Sequence, residues 1–359
     1  MDKVHSTPSA TGNLTGGLEM KRPKFFVGID ISLDTYALSV GVEPWKVVGK
    51  TAEFDNNPDG YAAMLDWLDK RGVKAAQAVV CMEATGVYGE ELAYYLVAKQ
   101  FRVAIEPPLK VKRAFFPYGH KNDRVDSQQI AEYSYRFYDQ LRFWQPKEDI
   151  LEQIQVMLST REQWVRQKTA HQNALTALKR KVVATPLAEA LHEQIIQRIK
   201  KDILLIEDEI RRLIEQDPGF GQMISLLMTI PGVGLLLAAN VMLIMVSSPD
   251  TVTNHKQLAA YIGICPYEHR SGTSIYKPDS SRFFGPERVR KLLYLASMSV
   301  REHNPTFKKY FLRKIAEGKP SRLVLNNIAN KLVRIMCAVI RTQTPFIQNY
   351  RSVHPALLR

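Results

Sequence analysis

Phe25-Phe26-Val27-Gly28-Ile29-Asp30 and Ala78-Val79-Val80-Cys81-Met82-Glu83 are two apolar runs that each end on a carboxylate. Runs this short and this apolar read as buried strands, and a buried strand does not carry a carboxylate at its end without compensation. A bound metal ion would provide it. Two more acids stand three apart in Lys121-Asn122-Asp123-Arg124-Val125-Asp126-Ser127. At the start of a helix, positions i and i+3 project to the same side, so both carboxylates can face one ion.

Around these acids, strands are expected at residues 25–31, 36–42, 46–54, 78–82 and 102–105, and helices at 60–70, 89–99 and 127–138. Three strands in succession, then strands separated by helices, predict an α/β unit: a mixed sheet with helices packed on it, in the order of an RNase H-like fold. Such a sheet could bring the four acids together at one edge. Two divalent ions about 3.5–4 Å apart stabilise the attacking and leaving oxygens of phosphoryl transfer, and hard Mg²⁺ (or Mn²⁺) takes carboxylate oxygens. Asp30, Glu83, Asp123 and Asp126 are therefore the candidate catalytic metal ligands. Each taken singly has a plainer reading: Asp123 or Ser127 as a helix cap, Asp30 as a turn residue, Glu83 as the partner of an arginine. Asp34 and Glu106 also lie near strand ends, where either could assist the metal.

From Ile150 to Gln216 the chain is charged and nearly free of glycine, with a break at Thr185-Pro186. Ile196, Ile199, Ile203, Ile206, Ile210 and Leu213 alternate spacings of three and four, which predicts an antiparallel helical hairpin or coiled coil. A pair packed within one chain and a seam between two chains both satisfy this pattern. Asp217-Pro218-Gly219 closes the segment, and an all-α part follows, with helices near 223–228, 235–246, 256–261, 286–302, 306–317 and 322–342. Residues 265–284 are polar, carry glycine and lack helical period, so a loop is expected there, and loops often hold chemistry. The expected organisation is a disordered tail (1–23), a catalytic RNase H-like domain (24–145), a helical coiled-coil or dimerisation segment (146–217), a basic helical domain (218–345) and a tail (346–359).

The net charge is +13, and all of it lies in residues 221–359, with 19 Lys and Arg against 6 Asp and Glu. A basic domain attached to a near-neutral one is what binding to a polyanion requires, because neutralising phosphates drives most nucleic-acid affinity. No uncharged apolar stretch reaches the roughly 18–20 residues that span a bilayer, and no signal-peptide core precedes the first strand. Neither a membrane partner nor secretion is expected. Cys81, Cys265 and Cys337 are far apart in apolar contexts, as buried thiols of a reducing cytoplasm would be. No zinc-type Cys/His spacing, Walker A loop or dinucleotide fingerprint occurs.

Thr229-Ile230-Pro231-Gly232-Val233-Gly234 before a helical run reads like a helix-hairpin-helix element, whose backbone amides at Gly232 and Gly234 would grip a phosphate. Arg270-Ser271-Gly272-Thr273 lies in the expected loop, with Lys277, Arg282, Arg288, Arg290 and Lys291 downstream as candidate nucleic-acid contacts. A serine can act as a phosphoryl-transfer nucleophile when arginines neutralise the developing charge. Beside a glycine, though, a loop serine is most often a turn residue.

With these motifs in this order, the chain resembles the DEDD-type insertion-sequence transposases of the one-ten family, the bridge-RNA-guided recombinases. The resemblance runs from Lys24 to about Thr342. It is carried by Gly28-Ile29-Asp30-Ile31-Ser32, Glu83-Ala84-Thr85-Gly86-Val87-Tyr88, Lys121 to Asp126, Pro231-Gly232-Val233-Gly234, Tyr261-Ile262-Gly263-Ile264-Cys265-Pro266, Arg270-Ser271-Gly272, Arg290-Lys291-Leu292-Leu293-Tyr294, Asn304-Pro305 and Gly318-Lys319. It implies a RuvC-like domain whose Asp30, Glu83, Asp123 and Asp126 hold Mg²⁺, and a C-terminal transposase domain in which Ser271 is the nucleophile joined covalently to DNA. It also implies a homodimer or homotetramer with composite sites between subunits, and a noncoding guide RNA pairing with donor and target DNA. Leu33 stands where a lysine is common, and Ile105-Glu106-Pro107 replaces a more usual Asn-Pro.

The expected function is a cytoplasmic, nucleoid-associated DNA recombinase of a mobile element. The alternatives are a junction-resolving nuclease that uses only the acids and water, and a non-catalytic nucleic-acid-binding protein. Covalent protein–DNA adducts separate the first from the second, and Mg²⁺-dependent cleavage or exchange excludes the third.

Overall fold

Gly28 decides how the first unit packs: a Cβ there would fall 2.2 Å from both the Ala131 nitrogen and the Ser127 carbonyl oxygen, so only a glycine lets helix and strand touch backbone to backbone. The computed structural model describes residues 22–84, 86–115, 123–247, 252–271, 275–281 and 285–348. It divides into two units, Met1–Pro146 and Lys147–Arg359.

The first unit runs β1 (Phe25–Ile31), β2 (Thr35–Val42), β3 (Lys46–Val47), β4 (Ala52–Asp55), α1 (Pro58–Asp69), β5 (Ala78–Glu83), α2 (Glu90–Ala98), β6 (Arg102–Glu106), α3 (Pro108–Lys112) and α4 (Asp123–Arg136). The six strands form one sheet in the order β3-β2-β1-β5-β6, with β4 also paired to β2. β1 is antiparallel to β2 and parallel to β5, and β5 is parallel to β6. This mixed sheet with flanking helices is consistent with an RNase H-like domain. Side chains alternate between its faces. Val27, Ile29, Leu38, Val80, Met82 and Val103 face one way, onto Met64, Leu68, Leu92 and Leu96 of α1 and α2. Cys81 and Ala104 face the other way, onto Ile130 and Tyr133 of α4. Residues 46–54, expected as one strand, form two short ones, and Gly49 at φ +73° turns the chain between them.

The second unit contains α5 (Asp149–Leu178), α6 (Pro186–Gln216), α7 (Pro218–Met228), α8 (Leu235–Ser247), α9 (His255–Ile262), β7 (Pro266–Ser271), β8 (Ile275–Ser281), α10 (Glu287–His303), α11 (Pro305–Ala316) and α12 (Ser321–Thr342). α5 and α6 form an antiparallel hairpin, because Arg161 pairs with Glu207, His171 with His192 and Lys179 with Glu193. Its seam buries Ile196, Ile199, Ile203, Ile210 and Leu213 within the single chain. Leu151, Ile154 and Leu158 of α5 and Ile210, Leu213 and Ile214 of α6 root the hairpin in the core shared by α7–α12. α12 is long and apolar enough to cross a membrane by length and composition alone. Its apolar face is spent in that core instead, with Val324, Ile328, Leu332, Val333 and Met336 at or near zero exposure.

The stretch expected as a loop at 265–284 is in part a two-stranded antiparallel hairpin, β7–β8. Its residues are polar, and its register slips between Tyr267 and His269, so the alternation that marks a strand is broken.

Candidate functional site

The acids of the first unit fall into a row. β1 and β5 pair Gly28 with Cys81 and Ile29 with Met82, so the next positions, Asp30 and Glu83, stand side by side at the carboxyl ends of parallel strands. Glu83 pairs in turn with Glu106 of β6. Positions in register share a face of the sheet, and by alternation this is the Gly28, Cys81 and Ala104 face, the one that α4 covers.

α4 crosses this face antiparallel to β1. Tyr135, late in the helix, packs edge-on against Phe26 with ring centroids 5.1 Å apart. One turn earlier, Ala131 and Ser127 rest on Gly28. The next turn back, the start of the helix, is therefore carried to Asp30, two residues on from Gly28. Asp123 and Asp126 occupy that first turn, which begins four residues ahead of the expected Ser127. Buried hydroxyls fasten the helix in place: Ser39 of β2 bonds Ser127 at 2.9 Å and Thr51 at 2.8 Å. The loops that leave the acid-bearing strands are also fixed. The Asn56 side-chain amide donates to the carbonyls of Ser32 and Tyr88 at 3.1 and 3.0 Å, and its oxygen accepts from the Tyr61 hydroxyl.

Glu106 and Glu83, adjacent in the row, are compensated differently. Glu106 is buried and accepts a 2.8 Å hydrogen bond from Lys110, one helical turn on. Burial works against the Lys110 charge, but the ammonium's hydrogen bonds to Glu106 and Tyr133 outweigh it and hold it above the ordinary lysine range. Burial and the Glu106 charge push the Cys81 thiol up, which leaves it inert. Partly buried Glu83 has no ion-pair partner among the described residues. Asp34 is exposed in the turn beyond β1, outside the row.

The Lys110–Glu106 pair gives a direct expectation. Lys110→Met leaves a buried carboxylate uncompensated and should cost about 2–3 kcal/mol at neutral pH, less than the ~3–5 of a fully enclosed pair because the Lys110 side chain is 44% exposed. A lysine whose folded value is raised stabilises below its unfolded value and stops doing so as pH climbs through the folded one. The loss should therefore be full near neutrality and fade as pH climbs through the raised lysine value, and urea unfolding of both proteins over that range reads it.

Among the described residues, no three His, Cys, Asp or Glu side chains stand close enough together to form a metal cluster. The Asp123 side chain lies outside the described set. The chemistry of the donors nevertheless fits a hard divalent cation: Asp30 and Glu83 end neighbouring strands, α4 opens with two more acids, and every candidate donor is a carboxylate oxygen.

The other candidates lie in the second unit. Ser271 closes β7, paired in register with Ile275, and Arg270 and Lys277 occupy the same hairpin; Arg282 lies outside the described residues. Gly232 sits in the α7–α8 turn at φ +79°, where a Cβ would meet Val300 at 2.7 Å and the Ala296 carbonyl at 2.9 Å, so packing on α10 alone demands it. Gly234 faces open space. On α10, Arg288 is partly buried and donates to the Ser159 hydroxyl, while Lys291 lies 3.6 Å from Glu162 of α5. Arg290 donates to the carbonyls of Ile262 and Gly285, both at 3.0 Å. Sequence reasoning missed Asn56, Ser39 and Lys110. The spacing of Glu106 and Lys110, four apart across a strand end and a helix start, was the one available signal among them.

Two family models match the chain. One, described as a transposase and built on the DEDD transposases of IS110, matches residues 27–182; the other, described as the transposase IS116/IS110/IS902 family, matches residues 224–312. The chain is 29% identical to the pilin gene-inverting protein of Moraxella bovis, over 90% of this chain and 98% of that one. The pilin gene-inverting protein of Moraxella lacunata matches to the same extent. The transposase for insertion sequence element IS1111A of Coxiella burnetii is 25% identical, over 89% of this chain and 90% of its own length.

Proposed function

From the premise that this chain belongs to the IS110 family of transposases and is a DNA-processing enzyme, we propose that it cuts and rejoins DNA through Ser271, assisted by a divalent cation held on Asp30, Glu83, Asp123 and Asp126. What supports the metal half is the row itself: Asp30 and Glu83 end neighbouring parallel strands, and α4, which opens with Asp123 and Asp126, packs on Gly28 of the same face. A cation bound there would neutralise the charge that builds on the non-bridging phosphate oxygens.

The Ser271 hydroxyl loses its proton and its oxygen bonds to phosphorus, while the bond to the departing deoxyribose oxygen breaks and that oxygen takes a proton. The number of phosphoester bonds is conserved, so the reverse step, attack by a different DNA end, rejoins strands without an outside energy source. The basic second unit supplies Arg270, Lys277, Arg282, Arg288 and Lys291 for the phosphate backbone, with the Gly232–Gly234 turn as a further phosphate grip. Protomers join into the dimer or tetramer in which one subunit's serine meets another's acids through surfaces outside the buried α5–α6 seam, such as the exposed Leu204 and Leu205 of α6. The protein works on the chromosome in the cytoplasm, and a noncoding RNA transcribed beside its gene pairs with donor and target.

The test is exchange on a plasmid that carries the element's junctions and flanking noncoding segment, incubated with purified protein and Mg²⁺. Precisely rejoined junctions that vanish on chelation are expected. Mg²⁺-dependent hydrolytic nicks with no rejoining and no covalent intermediate would instead make the protein a junction-resolving nuclease.

A further inference from the structure

The β7–β8 hairpin has only two strands, and a pair of strands holds no fixed pose unless something grips its ends. Its root is gripped on both sides. On the entry side, α9 ends at Ile262, Gly263 takes a left-handed conformation at φ +82°, and Ile264 leads into β7. The last carbonyls of a helix have no partner within it and must find donors elsewhere. Arg290 of α10 supplies one to Ile262, while Asn326 and Asn330 of α12 both donate to Ile264, at 3.0 and 3.2 Å.

On the exit side, the same Nη1 of Arg290 also donates to the carbonyl of Gly285. There the outgoing chain runs so close to the incoming one that a Cβ on Gly285 would lie 2.0 Å from the Tyr261 carbonyl oxygen. One guanidinium nitrogen thus ties both ends of the hairpin together. The two helices that carry these donors are set in the core by Val289 and Leu293 on α10 and by Leu325, Ile328 and Ala329 on α12. The platform is fixed, and the hairpin inherits its pose.

We propose that Arg290, Asn326 and Asn330 are positioning residues for Ser271: they fix the root of the β7–β8 hairpin and so hold the serine where it attacks the phosphate. This rests on the serine reading above and assigns Arg290 a task other than binding DNA.

The experiment uses the full chain with duplex DNA carrying the element's junction and its noncoding transcript, comparing Arg290→Lys, Asn326→Ala with Asn330→Ala, and Ser271→Ala. Three quantities are read: covalent adduct on denaturing gels, DNA affinity, and amide exchange in residues 264–281. Adduct formation in the double alanine variant should slow on the order of 100-fold, the effect of displacing a reacting group by about 1 Å. DNA affinity should hold, and exchange in β7 and β8 should rise. Arg290→Lys, which keeps the charge but not the two-ended grip, should fall between parent and double variant. Should the double variant lose the parent's cooperative melting transition, Arg290→Lys decides in its place. Adduct at the parental rate with faster hairpin exchange, or unchanged exchange, overturns the positioning role. Adduct persisting in Ser271→Ala overturns instead the serine reading beneath it.

Discussion

Ser271→Ala should bind its DNA as the parent does and form no covalent adduct, with exchange falling at least about 10⁴-fold, the scale on which loss of a nucleophile is felt in other covalent enzymes. The substitution removes one oxygen from the last residue of β7 and leaves the backbone pairing with Ile275 intact. The hairpin therefore keeps its shape. Ser271→Cys gives a second arm: a thiol reacts poorly at phosphorus, so exchange should stay low although size and polarity are nearly kept. Denaturing gels of protein trapped on nicked junction DNA measure the adduct, and salt-dependent binding isotherms measure affinity. Full exchange by Ser271→Ala would remove the serine from the mechanism and leave the acids and water as the only chemistry. Loss of binding together with adduct would instead make the residue part of the DNA surface.

The acidic strand ends were legible because a strand of a parallel sheet is buried on both faces and reads as a continuous apolar run, so a terminal carboxylate stands out against it. Phe25–Ile31 and Ala78–Glu83 both have that form. The seam of α6 was legible for the same reason, a periodic set of isoleucines in a charged helix. The β7–β8 hairpin was hidden because polar residues and a register slip erase the period-two signal. Its anchors were hidden more deeply. Asn326 and Asn330 lie four apart on a helix, and a sequence does not distinguish an amide that meets water from one that meets the carbonyl of a residue more than sixty positions away. Arg290 was misleading in another way, since a cation in a basic region is read as a phosphate contact until its guanidinium is found on two backbone carbonyls.

Asp126→Asn should separate metal binding from folding. Asp126 lies in the first turn of α4, partly buried, over a sheet edge that already carries Asp30 and Glu83. Asparagine keeps the shape of aspartate and removes one charge, so the metal-free variant should be as stable as the parent or slightly more so. The response to Mg²⁺ should change sharply. A cation that binds only the folded parent adds about 2.7 kcal/mol at roughly 100 times its dissociation constant, and the variant should lose most of that increment. Cleavage and adduct formation should fall by more than about 100-fold, since even outer-shell supports of a metal site cost ~10–100-fold when removed. Asp34→Asn, an exposed acid in the neighbouring turn, serves as the control and should change neither quantity. Melting curves with and without Mg²⁺, read beside adduct assays on the same preparations, give both numbers. If Asp126→Asn melts like the parent at every Mg²⁺ concentration and still cuts DNA, the row on the α4 face is a structural carboxylate cluster, and the metal must be sought elsewhere.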